Sequence, residues 1–291
     1  MSGNGSNTVA VIGGGPAGLL AAGTAGRYGG AVTVFERNEK TGKKLYITGK
    51  GRCNVTNACD PAAFLKNVVT NPKFLYSAIY SFTPDDTIAL LEKNGLHTKI
   101  ERGNRVFPVS DHASDVTKAL TKYAQDAGTV RLNAHVSQIR KEGERFCLLV
   151  AGETLYFDKV VVATGGLSYP STGSDGDGYT FARRLGHTII EPRPALVPIH
   201  LREDVTELEG LSLKNVTATV VTGTTEQSAF GEMLFTADGV SGPIILTLSS
   251  RLARTDCVGG TLSIDLKPAL TREKLDMRLL SDFGKYANKT L

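Results

Sequence analysis

Hydrophobic positions fall into two patterns along the chain. Thr8-Val9-Ala10-Val11-Ile12 and Ala31 to Phe35 are short, unbroken and rich in β-branched residues, which predicts strands buried on both faces. Between them, Leu19 to Tyr28 is rich in Ala and Leu and predicts a helix. PDDTIALLEKNG opens at Pro84 with acids in its first turn and ends near Gly95. SDVTKALTKYAQDAG repeats that grammar, from a Ser114 cap to Gly128. RLNAHVSQI is strand-like, and Phe146 to Val150 and Tyr156 to Thr164 predict two strands joined through Gly152-Glu153. This alternation argues for an α/β domain over residues 7–192, a parallel sheet with helices on both faces and a β-meander. The pattern changes at Glu191-Pro192-Arg193-Pro194. Val216 to Thr222, Met233 to Thr236 and Leu262 to Leu266 then predict strands, and Ser241-Gly242-Pro243 starts a short helix. Residues 193–270 read as an inserted, mainly β domain that shapes a substrate pocket. Residues 271–291 read as the start of a helical segment.

Composition narrows the class. The 291 residues are 41% hydrophobic and 21% charged, an ordinary globular balance with material for a substantial core. A net charge of +4 suits an enzyme with anionic ligands better than a nucleic-acid binder, which would carry a denser basic stripe. Cys53, Cys59, Cys147 and Cys257 form no C-x-x-C pair, and the histidines are scattered. Neither a zinc site nor a disulfide framework is indicated, so a reducing cytoplasm is the expected setting. Val9 to Gly26 carries no charge, yet it holds glycines and a proline, and MSGNGSNT before it has no Lys or Arg. That fits neither a membrane span nor a signal peptide.

The uncharged run is better explained by Gly13-Gly14-Gly15-Pro16-Ala17-Gly18. This is G-x-G-x-x-G with a strand before it, a helix after it, and Glu36 at the end of the next strand. Gly13 permits the tight turn, Gly15 lets backbone approach a pyrophosphate, and Gly18 lets the helix pack on the strand. The helix N-terminus offers N–H groups to phosphate. A carboxylate at Glu36 suits ribose hydroxyls and disfavours a 2′-phosphate there. The turn alone does not separate FAD from NAD. Ala163-Thr164-Gly165-Gly166 at the end of a strand that follows a meander favours a two-dinucleotide-binding flavoprotein. Gly165 and Gly166 suit a close backbone approach to the cofactor.

Gly42 to Asn57, GKKLYITGKGRCNVTN, is too glycine-rich for a helix and too charged for a core strand. It suits a loop against an anionic, flat ligand. Gly49 and Gly51 allow contact with a ring, Lys44 and Arg52 supply charge, and Asn54 and Asn57 supply hydrogen bonds. From composition alone, a solvated basic loop is an equal reading. Cys53 sits beside Arg52 and near Lys50, neighbours that lower a thiol pKa; a buried structural thiol is the alternative. No histidine falls in a triad or metal pattern, and no G-x-S-x-G is present. Tyr169 faces the ligand or packs. No side chain is singled out as catalyst, because a flavin carries the hard chemistry itself.

At this point GKKLYITGKGRCNVTN resembles the signature of the BaiN/RdsA (YhiN-like) family of NAD(P)/FAD-dependent oxidoreductases, also labelled aminoacetone oxidase-like. GNRVFPVSDHASDV (Gly103–Val116), ATGGLSYPSTGSDGDGYTFARRLGH (Ala163–His187), PALVPI (Pro194–Ile199) and GEMLFTADGVSGPIILTLSS (Gly231–Ser250) resemble further family segments, in order. The resemblance implies a Rossmann-like flavoprotein with FAD as cofactor, NAD(P)H as transient electron donor and a small-molecule substrate; the charge and the N-terminal run argue against nucleic acid or membrane as partner. It implies that Gly13, Gly15, Pro16, Ala17 and Gly18 meet the pyrophosphate, Glu36 the ribose, and Arg37 the region near adenine. It places Lys44, Thr48, Gly49, Gly51, Arg52, Cys53 and Asn54 on the pyrophosphate-to-flavin side, Val136 at adenine, and Thr164, Gly165 and Gly166 at another edge. Family members continue past the point matched by Leu291 with a Gly-Glu-x-x-Asp segment that closes over the flavin. The expectation is therefore of a chain truncated within a domain. A non-catalytic nucleotide-binding fragment is the rival reading.

Overall fold

The structure, a computed structural model, describes residues 7–285. The chain forms two compact units, the first ending at Ile190 and the second beginning at Glu191. In the first, β1 (Thr8–Ile12), α1 (Pro16–Arg27) and β2 (Ala31–Phe35) make the opening βαβ segment. A kinked 3-10 stretch, Leu45–Gly51, leads to β3 (Thr56–Asn57), then α2 (Pro61–Lys66), α3 (Tyr76–Ser81) and α4 (Pro84–Lys93). β4 (Thr98–Glu101), β5 (Arg105–Pro108), α5 (Ala113–Gln125) and β6 (Gly128–Arg131) follow. The meander β7 (Val136–Glu142), β8 (Arg145–Val150) and β9 (Glu153–Phe157) precedes β10 (Lys159–Val162) and α6 (Asp177–Arg184).

The main sheet is parallel, in the order β10-β1-β2-β6, with Ile12 opposite both Phe35 and Val162. Alternation along β1 sends Val9 and Val11 to one core and Ala10 and Ile12 to the other. On the first face, Leu19 and Ala22 of α1 pack with Val116, Ala119 and Leu120 of α5. On the second, Val136, Ile139, Leu148, Val150 and Phe157 of the meander pack with Phe181 of α6. Both faces are covered, which is why β1 and β2 read as unbroken apolar runs.

Several boundaries differ from the sequence reading, and two of the differences have a clear physical cause. Tyr156 to Thr164 is not one strand. Phe157 closes the meander with its ring edge-on to Phe35, and Asp158 turns the chain. The Asp158 carboxylate accepts from the Thr8 backbone N–H and hydroxyl at 2.8 and 2.7 Å, pinning the start of β1. Ser114 does not cap α5: it lies inside the helix, and His112, in extended backbone, holds the cap position.

In the second unit, β11 (Ile199–His200), β12 (Ser212–Thr222), β13 (Thr225–Thr236), β14 (Gly239–Ser241) and β15 (Thr261–Asp265) form an antiparallel sheet ordered β11-β14-β13-β12-β15. Helix α7 (Pro243–Leu252) begins with Pro243 at its first position and packs Ile244, Ile245, Leu248 and Leu252 on Val216, Ala218, Val220 and Met233. Helix α8 (Arg272–Lys285) lies in the segment read as 271–291, of which residues 286–291 fall outside the described residues. Among the described residues, no helix is long and apolar enough to cross a membrane.

Candidate functional site

The site grows from the carboxyl end of β1. Gly13 receives Phe35 on one side, donating its N–H to that carbonyl at 2.8 Å, and Ala163 donates to Ile12 on the other at 2.8 Å. The turn that follows is built from close approaches. Gly13 has φ 108°, and a β-carbon there would collide with the Ala163 carbonyl. One on Gly18 would overlap the Gly13 carbonyl oxygen, so the third glycine is required for α1 to sit on the turn. Gly15 differs: a β-carbon there meets nothing within 4 Å. Its open side faces a cleft of about 280 Å³.

Helix α1 leaves its first N–H groups available to that cleft. Its cap residue is Gly15, with no side-chain cap bond, Pro16 follows, and no acid occupies the first turn. Such an end carries partial positive charge and donors, which suits phosphate. Glu36 is buried, at 6% exposure, and organises the turn. Its Oε2 accepts from Gly14 N–H at 2.8 Å, and its Oε1 accepts from the Asn38 backbone N–H at 2.8 Å and side-chain amide at 2.7 Å. A carboxylate offers about four acceptor positions, so these three donors leave room for a ribose hydroxyl.

Of the residues singled out from sequence, Gly13, Gly15, Pro16, Ala17, Glu36, Arg37, Lys44, Val136, Thr164 and Gly165 line this cleft. Gly18 sits beneath the turn instead. Burial pulls the Lys44 ammonium below its usual pKa, and its Nζ lies 3.4 Å from Ser168 Oγ. Gly166, Thr48, Gly49, Gly51, Arg52, Cys53 and Asn54 are not among the lining residues.

The loop following Lys44 is fastened by protein partners. The Arg52 guanidinium donates to Glu101 and, at 2.8 Å, to Asp111, and it lies 4.1 Å over the Phe107 ring. Donating to the Glu101 and Asp111 carboxylates raises the Arg52 pKa. Lys99 reaches the same Asp111 at 2.6 Å. The Thr48 hydroxyl donates to Leu45 O, Cys53 N–H donates to Thr48 O, and the Asn54 amide donates to the Thr56 and Val106 carbonyls. Cys53 is buried at 2% exposure with φ 63°, and burial pushes its thiol up, only partly opposed by a hydrogen bond with Thr48. This corrects the lowered pKa expected from its basic neighbours. Arg52 points to its carboxylates, and desolvation dominates at the sulfur.

Sequence reasoning passed over Asn38, Ala134, His135, Thr172, Ser174 and Asp177, which also line the cleft. The glycine-rich Ser174-Asp175-Gly176-Asp177-Gly178 was the available signal. Asp177 opens α6, and its Oδ2 lies 3.0 Å from His135 Nε2 and 3.3 Å from Arg37 Nη1.

These residues fit an adenine dinucleotide. The bare helix end faces Gly15, the only one of the three motif glycines with open space beside it. Glu36 retains an acceptor, and Thr164-Gly165 closes the opposite wall.

A family model described as HI0933-like protein Rossmann domain matches residues 7–262. The chain is 35% identical over 267 residues to a ribosomal RNA dihydrouridine synthase of Haemophilus influenzae, covering 89% of this chain and 64% of that one. It is 31% identical over 252 residues to a 3-dehydro-bile acid delta(4,6)-reductase of Clostridium scindens, covering 85% and 61%. The chain thus spans less than two thirds of either relative. Among solved structures, the open conformation of a flavocytochrome c3 fumarate reductase superposes with a TM-score of 0.51 at 18% identity, covering 74% of this chain and 48% of that one, a likeness of fold. With a Rossmann-type turn, a parallel sheet, a meander on its second face and this match across most of its length, the chain belongs to the HI0933-like family, the same relationship that its motifs show to BaiN and RdsA.

Proposed function

We propose that the protein is an FAD-dependent oxidoreductase that reduces a C=C bond conjugated with a carbonyl, with NAD(P)H as transient electron donor. The cleft at the β1–α1 turn carries the cofactor half of this reading. The substrate half rests on what the two relatives' names share. Dihydrouridine forms by saturating the C5=C6 bond of uracil, conjugated with C4=O, and a delta(4,6) bond of a 3-oxo bile acid is conjugated with its ketone. One substrate is part of an RNA and the other is a free steroid, so the shared feature is the polarised alkene. A small organic molecule of that class is the proposed substrate.

Bound FAD would supply a flavin N5 able to take up and return a hydride. The chain's residues bind and orient it. The N–H groups at the start of α1 take phosphate oxygens. Glu36, which holds Gly14 and Asn38 in place, would accept from the adenosine ribose. Lys44 brings positive charge to the wall near Gly165 and Ser168. The Thr164-Gly165 backbone lies against the opposite side of the cleft.

The test is an absorption spectrum of the purified chain before and after incubation with FAD. Flavin bands that stay with the protein through gel filtration, bleach anaerobically with NADH or NADPH, and return on adding a 4-en-3-one support the reading. A colourless chain that takes up no FAD sinks it and leaves the non-catalytic reading.

A further inference from the structure

We infer that Arg37 is a masked receptor for a ribose 2′-phosphate, and that Asp175 and Asp177 fix the site's preference for unphosphorylated ribose by occupying its guanidinium. The inference rests on the nucleotide reading above and goes beyond it, because it assigns the specificity to acids from a different part of the chain.

Arg37 directly follows Glu36, the residue placed to accept a ribose hydroxyl. A guanidinium at that position ordinarily pairs well with phosphate through its planar fork of donors. Here its Nη1 is already shared by two carboxylates. Arg37 Nη1 lies 2.6 Å from Asp175 Oδ2 and 3.3 Å from Asp177 Oδ2. Both acids belong to the segment that folds back onto residues 36–38. Asn38 Nδ2 reaches the Thr172 carbonyl at 3.2 Å, and a β-carbon on Gly173 would press on that same amide at 2.7 Å. Asp177 is held further by His135 Nε2 at 3.0 Å. Lys43, another cation lining this end, is itself engaged, 2.9 Å from Glu39 and 3.2 Å from Asn38 Oδ1.

The charge sum decides the sign. Glu36, Asp175 and Asp177 contribute formal charges of −3 and Arg37 +1, so these four groups carry −2. Burial is the largest single influence on Asp175 and works against its charge, but the Arg37 hydrogen bond, the Arg37 charge and two backbone hydrogen bonds together keep the carboxyl pKa below its usual value. A 2′-phosphate brings a further negative group to this corner and meets a guanidinium whose charge two carboxylates already share through Nη1. Ribose hydroxyls are neutral donors and suit the same acids. Removing the two aspartate charges brings the sum to zero and releases Arg37.

The experiment is a calorimetric titration of the full 291-residue chain, stripped of any FAD that co-purifies, with ADP-ribose and with 2′-phospho-ADP-ribose. The wild-type protein is expected to bind ADP-ribose at least about tenfold more tightly. In Asp175→Asn/Asp177→Asn that preference should shrink by about tenfold or more, through tighter binding of the phosphorylated ligand. Adding Arg37→Ala to this pair should abolish the gain. Asp175→Asn alone keeps the Asp177–His135 contact and should give part of the shift, so it serves if the double variant fails to fold. An unchanged preference in both variants, or a gain that survives Arg37→Ala, overturns the inference while leaving the nucleotide site standing. Wild-type protein that binds neither ligand overturns the nucleotide reading, and the inference with it.

Discussion

At the scale of single residues, the three motif glycines do different work, and substitution separates them. Gly18→Ala forces a β-carbon onto the Gly13 carbonyl oxygen, so the turn or the helix must move. Overpacking of this kind costs about 1–3 kcal/mol, and the melting temperature should fall accordingly. Gly15→Ala adds a methyl group to open space at φ −78°, where Ala is unstrained. Its melting temperature should hardly change, whereas FAD affinity should drop by about tenfold or more, on the order of 1.4 kcal/mol. Equal loss of stability in both variants would contradict the division of roles. Cys53 supports a second residue-scale prediction. Burial raises its pKa and removes it from solvent. Exposed Cys257 should react first with a thiol reagent at pH 8, and Cys53 only on unfolding, as read by peptide mass spectrometry. Fast native labelling of Cys53 would restore it as a redox candidate.

At the scale of elements, α4 shows how a local signal becomes a separable contribution. Thr83 accepts from Asp86 N–H at 3.1 Å while Asp86 Oδ2 accepts from Thr83 N–H at 2.8 Å, a reciprocal capping box. Losing the Thr83 hydroxyl in Thr83→Ala should cost about 1 kcal/mol of stability and leave FAD affinity unchanged. The pH dependence follows from Asp86. Hydrogen bonds from Thr83 depress its folded pKa, so its contribution is present above the unfolded carboxylate pKa and is lost as pH falls through the folded one. The gap between wild-type and Thr83→Ala melting temperatures should therefore be widest near neutral pH and narrow in acid. A constant gap from pH 7 to pH 2 would argue against the reciprocal bond.

The same scale shows what the sequence could and could not reveal. The glycine turn and the placement of Glu36 beside it were legible because strand, turn, helix and acid are contiguous, whereas the bonds that Glu36 accepts from Gly14 and Asn38 were not read. The capping of α4 was partly legible: its first-turn acids stood out, though Thr83 itself did not. The Arg52 clamp was not legible. Its carboxylates, Glu101 and Asp111, lie far along the chain, and the pairing of β3, β4 and β5 is what brings them to the loop. Basic composition suggested a ligand, but a cation's partner depends on topology. His135 and Asp177 were missed for the same reason, since the start of the meander and the start of α6 meet only in the folded chain.

For the whole molecule, the question is how much of the chain the cofactor needs. Every residue lining the cleft lies between Ile12 and Asp177, inside the first unit, and that unit has its own two cores on either side of the parallel sheet. The second unit has a separate core of α7 against its antiparallel sheet. Residues 1–190 alone should therefore retain ADP-ribose affinity within about threefold of the full chain, a difference below about 1 kcal/mol. Residues 191–291 should bind none. Leu248→Ala gives the complementary test within the intact chain. It removes a fully buried side chain from the second core, at a cost of about 2–5 kcal/mol to that core. Its melting should show the second unit unfolding early while ADP-ribose binding persists. If instead affinity collapses with the second unit, part of the nucleotide's binding energy comes from beyond Ile190. The cleft at the β1–α1 turn would then be only one portion of the site.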